Sequence, residues 1–301
     1  MVDIRMPVTA EPVGDVTAVL GEGPYWRPDD EVLLWVDIVR GLLYLTRPQL
    51  AETITIELDA VSAAFPAVGG GILTAGGHRV TLRATRPGEG WAGRTVAEVP
   101  ARNGVRFNDA AVDHAGRVWV GSMDLNEKEP LGTLYRLDSG GTLTPVVHGA
   151  TVSNGIGWSP DGTRMYYNDS PMRRIDVFDY DQATGEASQR RMFADLSAER
   201  GFPDGLTVDA DGCVWVAMFA GSTLRRFTPA GRPDAVIPLP VSQPTSVAFG
   251  GPGMADLFVT TAYRDLTDEQ RQGEPLAGRL LRLRPGPVGL PSSTAQAVIP
   301  S

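Results

Sequence analysis

The chain has 301 residues, enough for one large domain or two smaller ones. Its formal net charge of −9 offers no basic surface for phosphate contact, which argues against nucleic acid and anionic membranes as partners. The single cysteine, Cys213, excludes an intramolecular disulfide and reads as a buried, inert thiol inside a strand, and no apolar run approaches the length of a membrane span.

Met1–Pro7 carries no apolar signal core, so a cytoplasmic location is expected. Pro12–Leu20 has strand character and is expected to pair with the last unit of the chain, hiding an exposed edge. Six short apolar strand signals follow: Val32-Leu-Leu-Trp35, Gly71-Ile-Leu73, Arg117-Val-Trp119, Arg164-Met-Tyr-Tyr167, Cys213-Val-Trp215 and Asp256-Leu-Phe258. They recur every 38 to 48 residues, the span of a four-stranded propeller blade. Turn signals such as Ser159-Pro-Asp-Gly162 and Asp209-Ala-Asp-Gly212 precede them, which is hairpin chemistry. Helical periodicity is nearly absent. Only Ser197–Arg200 and Asp265–Gln272 read as short helical turns, and Pro285–Ser301 is Pro-rich and expected to be loosely ordered. The expectation is therefore all-β: a six-bladed β-propeller with four-stranded antiparallel blades, forming one domain over residues 1–301, monomeric by default.

A second regularity concerns function. Glu22, Ser62, Asn108, Asn154, Asp204 and Ser246 each stand 11 to 13 positions before one of the strand signals. Equal phase in a repeat means equivalent places in the architecture, so in a closed ring these six side chains meet around one axis. Glu22, Asn154 and Asp204 offer only oxygen, which suits a hard divalent cation such as Ca²⁺, Mg²⁺ or Mn²⁺, and three protein ligands leave positions for water and substrate. Each of the three is followed by glycine. Taken singly, Asn-Gly and Asp-Gly commonly make turns; several polar residues in register across separate repeats favour a shared site. Arg106 precedes Asn108 by two positions and shares its strand face, free to bind substrate oxygens or to pair outward with an acid. The three histidines, His78, His114 and His148, fall outside the phase, and His114 and His148 read as surface residues. With no Gly-x-Ser-x-Gly elbow either, any hydrolysis should run through metal and carboxylate.

Several ordered motifs carry a family resemblance. They are Leu20-Gly-Glu-Gly-Pro-Tyr-Trp26, Arg106-Phe-Asn-Asp-Ala110 with Asp113-His-Ala-Gly-Arg-Val-Trp-Val-Gly-Ser-Met123, Ser153-Asn-Gly155 with Ser159-Pro-Asp-Gly162, and Phe202-Pro-Asp-Gly205 with Asp211-Gly-Cys-Val-Trp215. From about Val16 to Leu283 the chain resembles the regucalcin/gluconolactonase family of the senescence marker protein type. The resemblance implies one divalent cation (Ca²⁺, Mn²⁺, Mg²⁺, Zn²⁺ or Fe²⁺) held by Glu22, Asn154 and Asp204, with Arg106 and Asn108 on the substrate and Asp204 as catalytic base. It implies a lactonase that opens a small sugar-derived lactone by attack of a metal-activated water. Where many members place an acid that contacts the sugar, this chain has Asn126, flanked by Asp124 and Glu127, so Asn126 is the expected third substrate contact. Two alternatives use the same side chains: an esterase or organophosphate hydrolase, and a cation- or ligand-binding protein without turnover.

Overall fold

Six sheets, each of four antiparallel strands, contain nearly all the regular structure of the computed structural model, which describes residues 8–84, 91–138 and 140–296. Blade 1 spans residues 21–57, blade 2 spans 63–98, blade 3 spans 105–150, blade 4 spans 153–195 and blade 5 spans 202–238. Blade 6 takes three strands from residues 244–283 and its fourth, outermost strand, Glu11–Thr17, from the start of the chain. The inner strands are Gly21–Arg27, Ala63–Pro66, Val105–Val112, Ser153–Trp158, Phe202–Val208 and Pro244–Gly250. Each touches the next, and the sixth touches the first, so the sheets close into a six-bladed β-propeller.

The hydrophobic core is divided into six parts, one between each pair of neighbouring blades. Leu34 and Leu43 of blade 1 meet Ala64 and Ile72 of blade 2. Phe65 and Leu73 then meet Phe107 and Val120, and Trp119 and Leu134 meet Ile156 and Tyr167. Tyr166 and Val177 meet Leu206 and Val216, Trp215 and Ile237 meet Val247 and Phe249, and Phe258 and Leu280 meet Trp26 and Trp35. A strand sandwiched between two blades is buried on both faces. Val32–Asp37, Val118–Asp124 and Asp256–Thr261 are buried at every position, which is why they read as continuous apolar runs rather than alternations. Burial of this kind leaves the axis itself to polar side chains.

The Asp-x-x-Gly-x-Val-Trp spacing has a direct cause. The Asp113 carboxylate accepts the backbone N–H groups of Ala115 and Arg117 and the indole N–H of Trp119. Asp209 does the same for Asp211, Cys213 and Trp215. One side chain thus closes the turn and fixes the large residue that fills the inter-blade core. Cys213 lies buried beside this turn, its thiol pushed up to about 11 by desolvation.

Two sequence expectations need correction here. Of the two short helical turns expected, residues 197–200 form an open turn pinned by Asp195, while the one expected over Asp265–Gln272 is present as α1 (Asp268–Gly273), where Thr267 and Gln270 make a reciprocal capping box. Residues 285–296 are not loose. They cross the lower face of the ring, opposite the starts of the inner strands, bonding Ala210 of blade 5, Met254 of blade 6, Tyr25 of blade 1, Pro66 and Val68 at blade 2 and Gly116 of blade 3. Ala295 is fully buried there. The final residues, 297–301, lie outside the described part. Among the described residues no helix is long and apolar enough to cross a membrane.

Candidate metal centre and substrate cavity

Five of the six phased residues lie in the first half of their inner strands and the sixth, Ser62, just before its own, and all six are buried. In five blades the inner strand carries one extra residue at or beside this position. Register slips between Glu22 and Tyr25, Phe107 and Ala110, Asn154 and Ile156, Pro203 and Leu206, and Pro244 and Ser246, while blade 2 pairs without a shift. A bulge bends its strand and re-aims the side chain. Its imprint is a backbone N–H that donates to the side-chain oxygen of the residue before it: Gly23 to Glu22 Oε2 (3.1 Å), Gly155 to Asn154 Oδ1 (3.2 Å) and Ala110 to Asp109 Oδ1 (2.8 Å).

The glycines after the site residues answer to crowding. A Cβ on Gly205 would lie 2.0 Å from Ser246 Oγ, and one on Gly155 would lie 2.5 Å from the Asp204 carbonyl oxygen. Further support comes from acids that end the second strands. Asp37 accepts the N–H groups of Val19 and Leu20, just ahead of Glu22. Asp169 likewise accepts those of Thr151 and Val152, ahead of Asn154. Asn168 donates to the Asp204 carbonyl oxygen at 2.7 Å, tying blade 4 to blade 5 beneath the site.

Two separate cavities share the axis and have no lining residue in common. The upper one, of about 250 Å³, is walled by Glu22, Asn108, Asn154 and Asp204 together with Arg106, Glu127 and Arg264. Leu20, Met123, Val152, Phe202 and Phe219 supply its apolar side. The lower one, of about 160 Å³, holds Asp109, His114 and Ser246 and is crossed by Leu290–Ser293. The structure therefore brings Glu22, Arg106, Asn108, Asn154 and Asp204 to one cavity. It does not bring Asn126, which is exposed. Asp124 gathers the N–H groups of Lys128 and Glu129, curling the loop so that Glu127, at φ 57°, enters the cavity wall instead. His114 is half-buried against the lower cavity with Nε2 2.9 Å from the Ser159 carbonyl oxygen, not a free surface residue. Ser62 bonds the Ala75 carbonyl oxygen, and neither it nor Ser246 reaches the upper cavity.

Electrostatics sets this centre apart. Burial, with Asp204 and Asp109 nearby, raises the Glu22 carboxyl well above the usual carboxylate range. Burial and Asp109 do the same to Asp204, and burial pushes Asp109 up to about 7. Asp204 Oδ1 is buried with no hydrogen-bond partner. Asn154 donates from Nδ2 to Ser170 Oγ at 3.1 Å, which turns its carbonyl oxygen away from that bond. Among the described residues no three His, Cys, Asp or Glu side chains form a metal-holding group, so a cation here would rely on the Asn154 amide oxygen beside two acids. An orphaned carboxylate oxygen and two mutually repelling buried acids fit a hard divalent cation. Arg106 Nη1 donates to the Phe107 carbonyl oxygen (2.8 Å) and Asn108 Oδ1 (3.0 Å), so it faces the site rather than an outward acid. Asn108 Nδ2 donates to the Ser153 carbonyl oxygen at 3.1 Å.

Comparison with known proteins gives the family and the fold. Residues 20–263 match the model of the SMP-30/gluconolactonase/LRE-like region. The chain belongs to this family. Among its relatives, the pentonolactonase XacC of Haloferax volcanii is 34% identical over 289 residues, covering 94% of this chain and 97% of its own. The 6-deoxy-6-sulfogluconolactonase of Pseudomonas putida is 32% identical over 272 residues, covering 89% and 91%. The solved structure of regucalcin from Agrobacterium tumefaciens, described as a calcium-binding protein, superposes at a TM-score of 0.93 with 25% identity over 98% of this chain and all of that one. Sequence spacing did not expose the family member's other cavity residues, Phe219, Glu127 and Arg264.

Proposed function

We propose that this family member is a lactonase that hydrolyses a sugar-derived lactone with the help of one divalent cation. The named lactonases among its relatives support the reaction class. The single observation that carries the metal is the unpartnered, buried Asp204 Oδ1 in a cavity wall that also holds Glu22 and Asn154. These three residues would hold the cation. When bound, the cation supplies Lewis acidity toward the lactone carbonyl and a more acidic water.

The chain's own groups divide the rest. Arg106 and Asn108, bonded to each other, orient ring and hydroxyl oxygens through a planar fork and an amide. Asp204 accepts the proton of the attacking water. As that water adds to the carbonyl carbon, the ring C–O bond breaks and the freed oxygen takes a proton, giving a hydroxy acid. The apolar wall of Met123, Val152, Phe202 and Phe219 excludes bulk water and covers the C–H faces of the ring.

The test is proton release from neutral aldonolactones, with Ca²⁺, Mn²⁺, Mg²⁺ or Zn²⁺ added back after chelation. Chelation should abolish turnover, and Asp204→Asn should lower kcat by roughly 10²–10⁴ while the fold persists. Full activity of Asp204→Asn, or of chelated wild type, would sink the proposal. Turnover of aryl or phosphate esters without lactone hydrolysis would favour a general esterase. Calorimetric metal binding with every substrate intact would favour a binding protein.

A further inference from the structure

We infer that Arg106 and Arg264 form a two-guanidinium subsite for an anionic group on the substrate, a carboxylate, sulfonate or phosphate carried away from the lactone carbonyl. This rests on the lactonase reading and narrows its substrate class. Both arginines line the upper cavity. They come from opposite sides of the ring, Arg106 from the inner strand of blade 3 and Arg264 from the loop that precedes α1 in blade 6.

Arg106 is the less satisfied of the two. Its bonds, both from Nη1, go to a carbonyl and an amide oxygen, and among the described residues no carboxylate pairs with it. Burial first, and then the neighbouring Arg264, push its guanidinium down to about 10 against the opposing pull of Glu22 and Glu127, which places the two cations within each other's field. Its hydrogen-bond partners are neutral, and the carboxylates of Glu22 and Glu127 act on it through their field without a bond among the described residues, so this buried guanidinium keeps donors for an arriving anion.

Arg264 is held in place from across the ring. Its Nη2 donates to Glu127 Oε1 at 2.6 Å and its Nε to Asp265 Oδ2 at 3.1 Å, while Gln243 Nε2 donates to its carbonyl oxygen at 2.8 Å. Glu127 and Asp265 have φ of 57° and 63°, left-handed values that a non-glycine residue adopts at a cost. These contacts leave Nη1 of Arg264 without a bond among the described residues. Of the three acids in the cavity wall, Glu127 is bonded to Arg264, and Glu22 and Asp204 are the proposed ligands of the cation. An anionic group on the ligand would meet both guanidiniums in one cavity, and a guanidinium fork matches a planar or tetrahedral oxyanion.

The competing explanation is that Glu127–Arg264 is only a clasp between two loops. It predicts equal effects on all substrates. The probes are neutral gluconolactone and glucarolactone, of the same ring size, the second with a terminal carboxylate. Wild type should favour glucarolactone at least tenfold in kcat/KM at low salt, mostly through KM, and the preference should shrink as ionic strength rises. Arg264→Gln should lower that ratio about tenfold, and Arg264→Lys, which keeps the charge without the fork, should lower it by less. If Arg264→Gln does not fold, as its melting curve would reveal, Arg264→Lys and the salt series decide. No preference in wild type, or equal slowing of both substrates in the variants, overturns the subsite. Failure of every lactone to turn over with every metal sinks the lactonase reading instead. Calorimetry with glucarate against glucitol then reads the subsite directly: tighter binding of the anion that Arg264 variants lose supports it, and equal or absent binding overturns it.

Discussion

Asp109 is the residue whose chemistry the proposed reaction leaves unused. It stands next to Asn108 yet faces the other cavity, because the bulge in the blade 3 inner strand turns the chain between Phe107 and Ala110. Its carboxyl titrates near 7 in the fold, because burial disfavours the charge, and near 4 when unfolded. Between those values the native state holds the extra proton, so the stability that Asp109 confers is complete below pH 4 and is lost as pH rises through 7. Asp109→Asn should therefore raise the Tm of chelated protein at pH 8, by several degrees if a few kcal/mol are recovered, and leave it unchanged at pH 4. Melting curves at the two pH values check this; an equal shift at both would point to packing rather than charge. Glu22 and Asp204 share the same strain, since burial and neighbouring acids raise both: Asp204 and Asp109 act on Glu22, and Asp109 acts on Asp204. Divalent cations should for that reason raise the Tm of wild type more at pH 8 than at pH 4.

At the scale of the element, the inner strand with its bulge is the unit that builds the site. Gly205→Ala tests it without touching a proposed ligand. The new methyl would overlap Ser246 Cβ and Oγ of the neighbouring blade, at 2.5 and 2.0 Å, and the strand would have to move. The expected result is a loss of about 1–3 kcal/mol of stability by denaturant titration, with a larger fractional loss of metal affinity. The phase of Glu22, Asn154 and Asp204 was readable in the chain because a repeat transmits position, and the strand signals were readable because inter-blade burial makes them uniformly apolar. Arg264 and Glu127 were not readable as partners: they lie in loops outside the repeated strands, where spacing carries no phase. Asn126 was expected one position away from the residue that enters the cavity, since nothing in the order of residues shows how Asp124 curls its loop. The bulges were also invisible, although the glycines after Glu22, Asn154 and Asp204 were their trace.

For the whole molecule, closure has two parts. The strand Glu11–Thr17 completes blade 6 from the opposite end of the chain by pairing with Arg279–Leu283, so the two ends of the propeller are joined in one sheet. The segment 285–296 then spans the lower face and touches five blades in turn. Removing everything after Arg284 should lower the Tm by several degrees and expose Tyr25, whose hydroxyl now donates to the Ser293 carbonyl oxygen. Differential scanning calorimetry and quenching of tyrosine fluorescence would register the change, and an unaltered melt would show the segment to be dispensable. The same segment has a consequence for traffic. The upper cavity shares no lining residue with the lower one that Leu290–Ser293 covers, so the reaction chamber is a cul-de-sac, and the bonded pair Arg264 and Glu127 belongs to the part of its wall that reaches solvent. Arriving substrate and departing acid must use that open side in alternation, so each product molecule holds the room until it leaves, and product inhibition should be purely competitive.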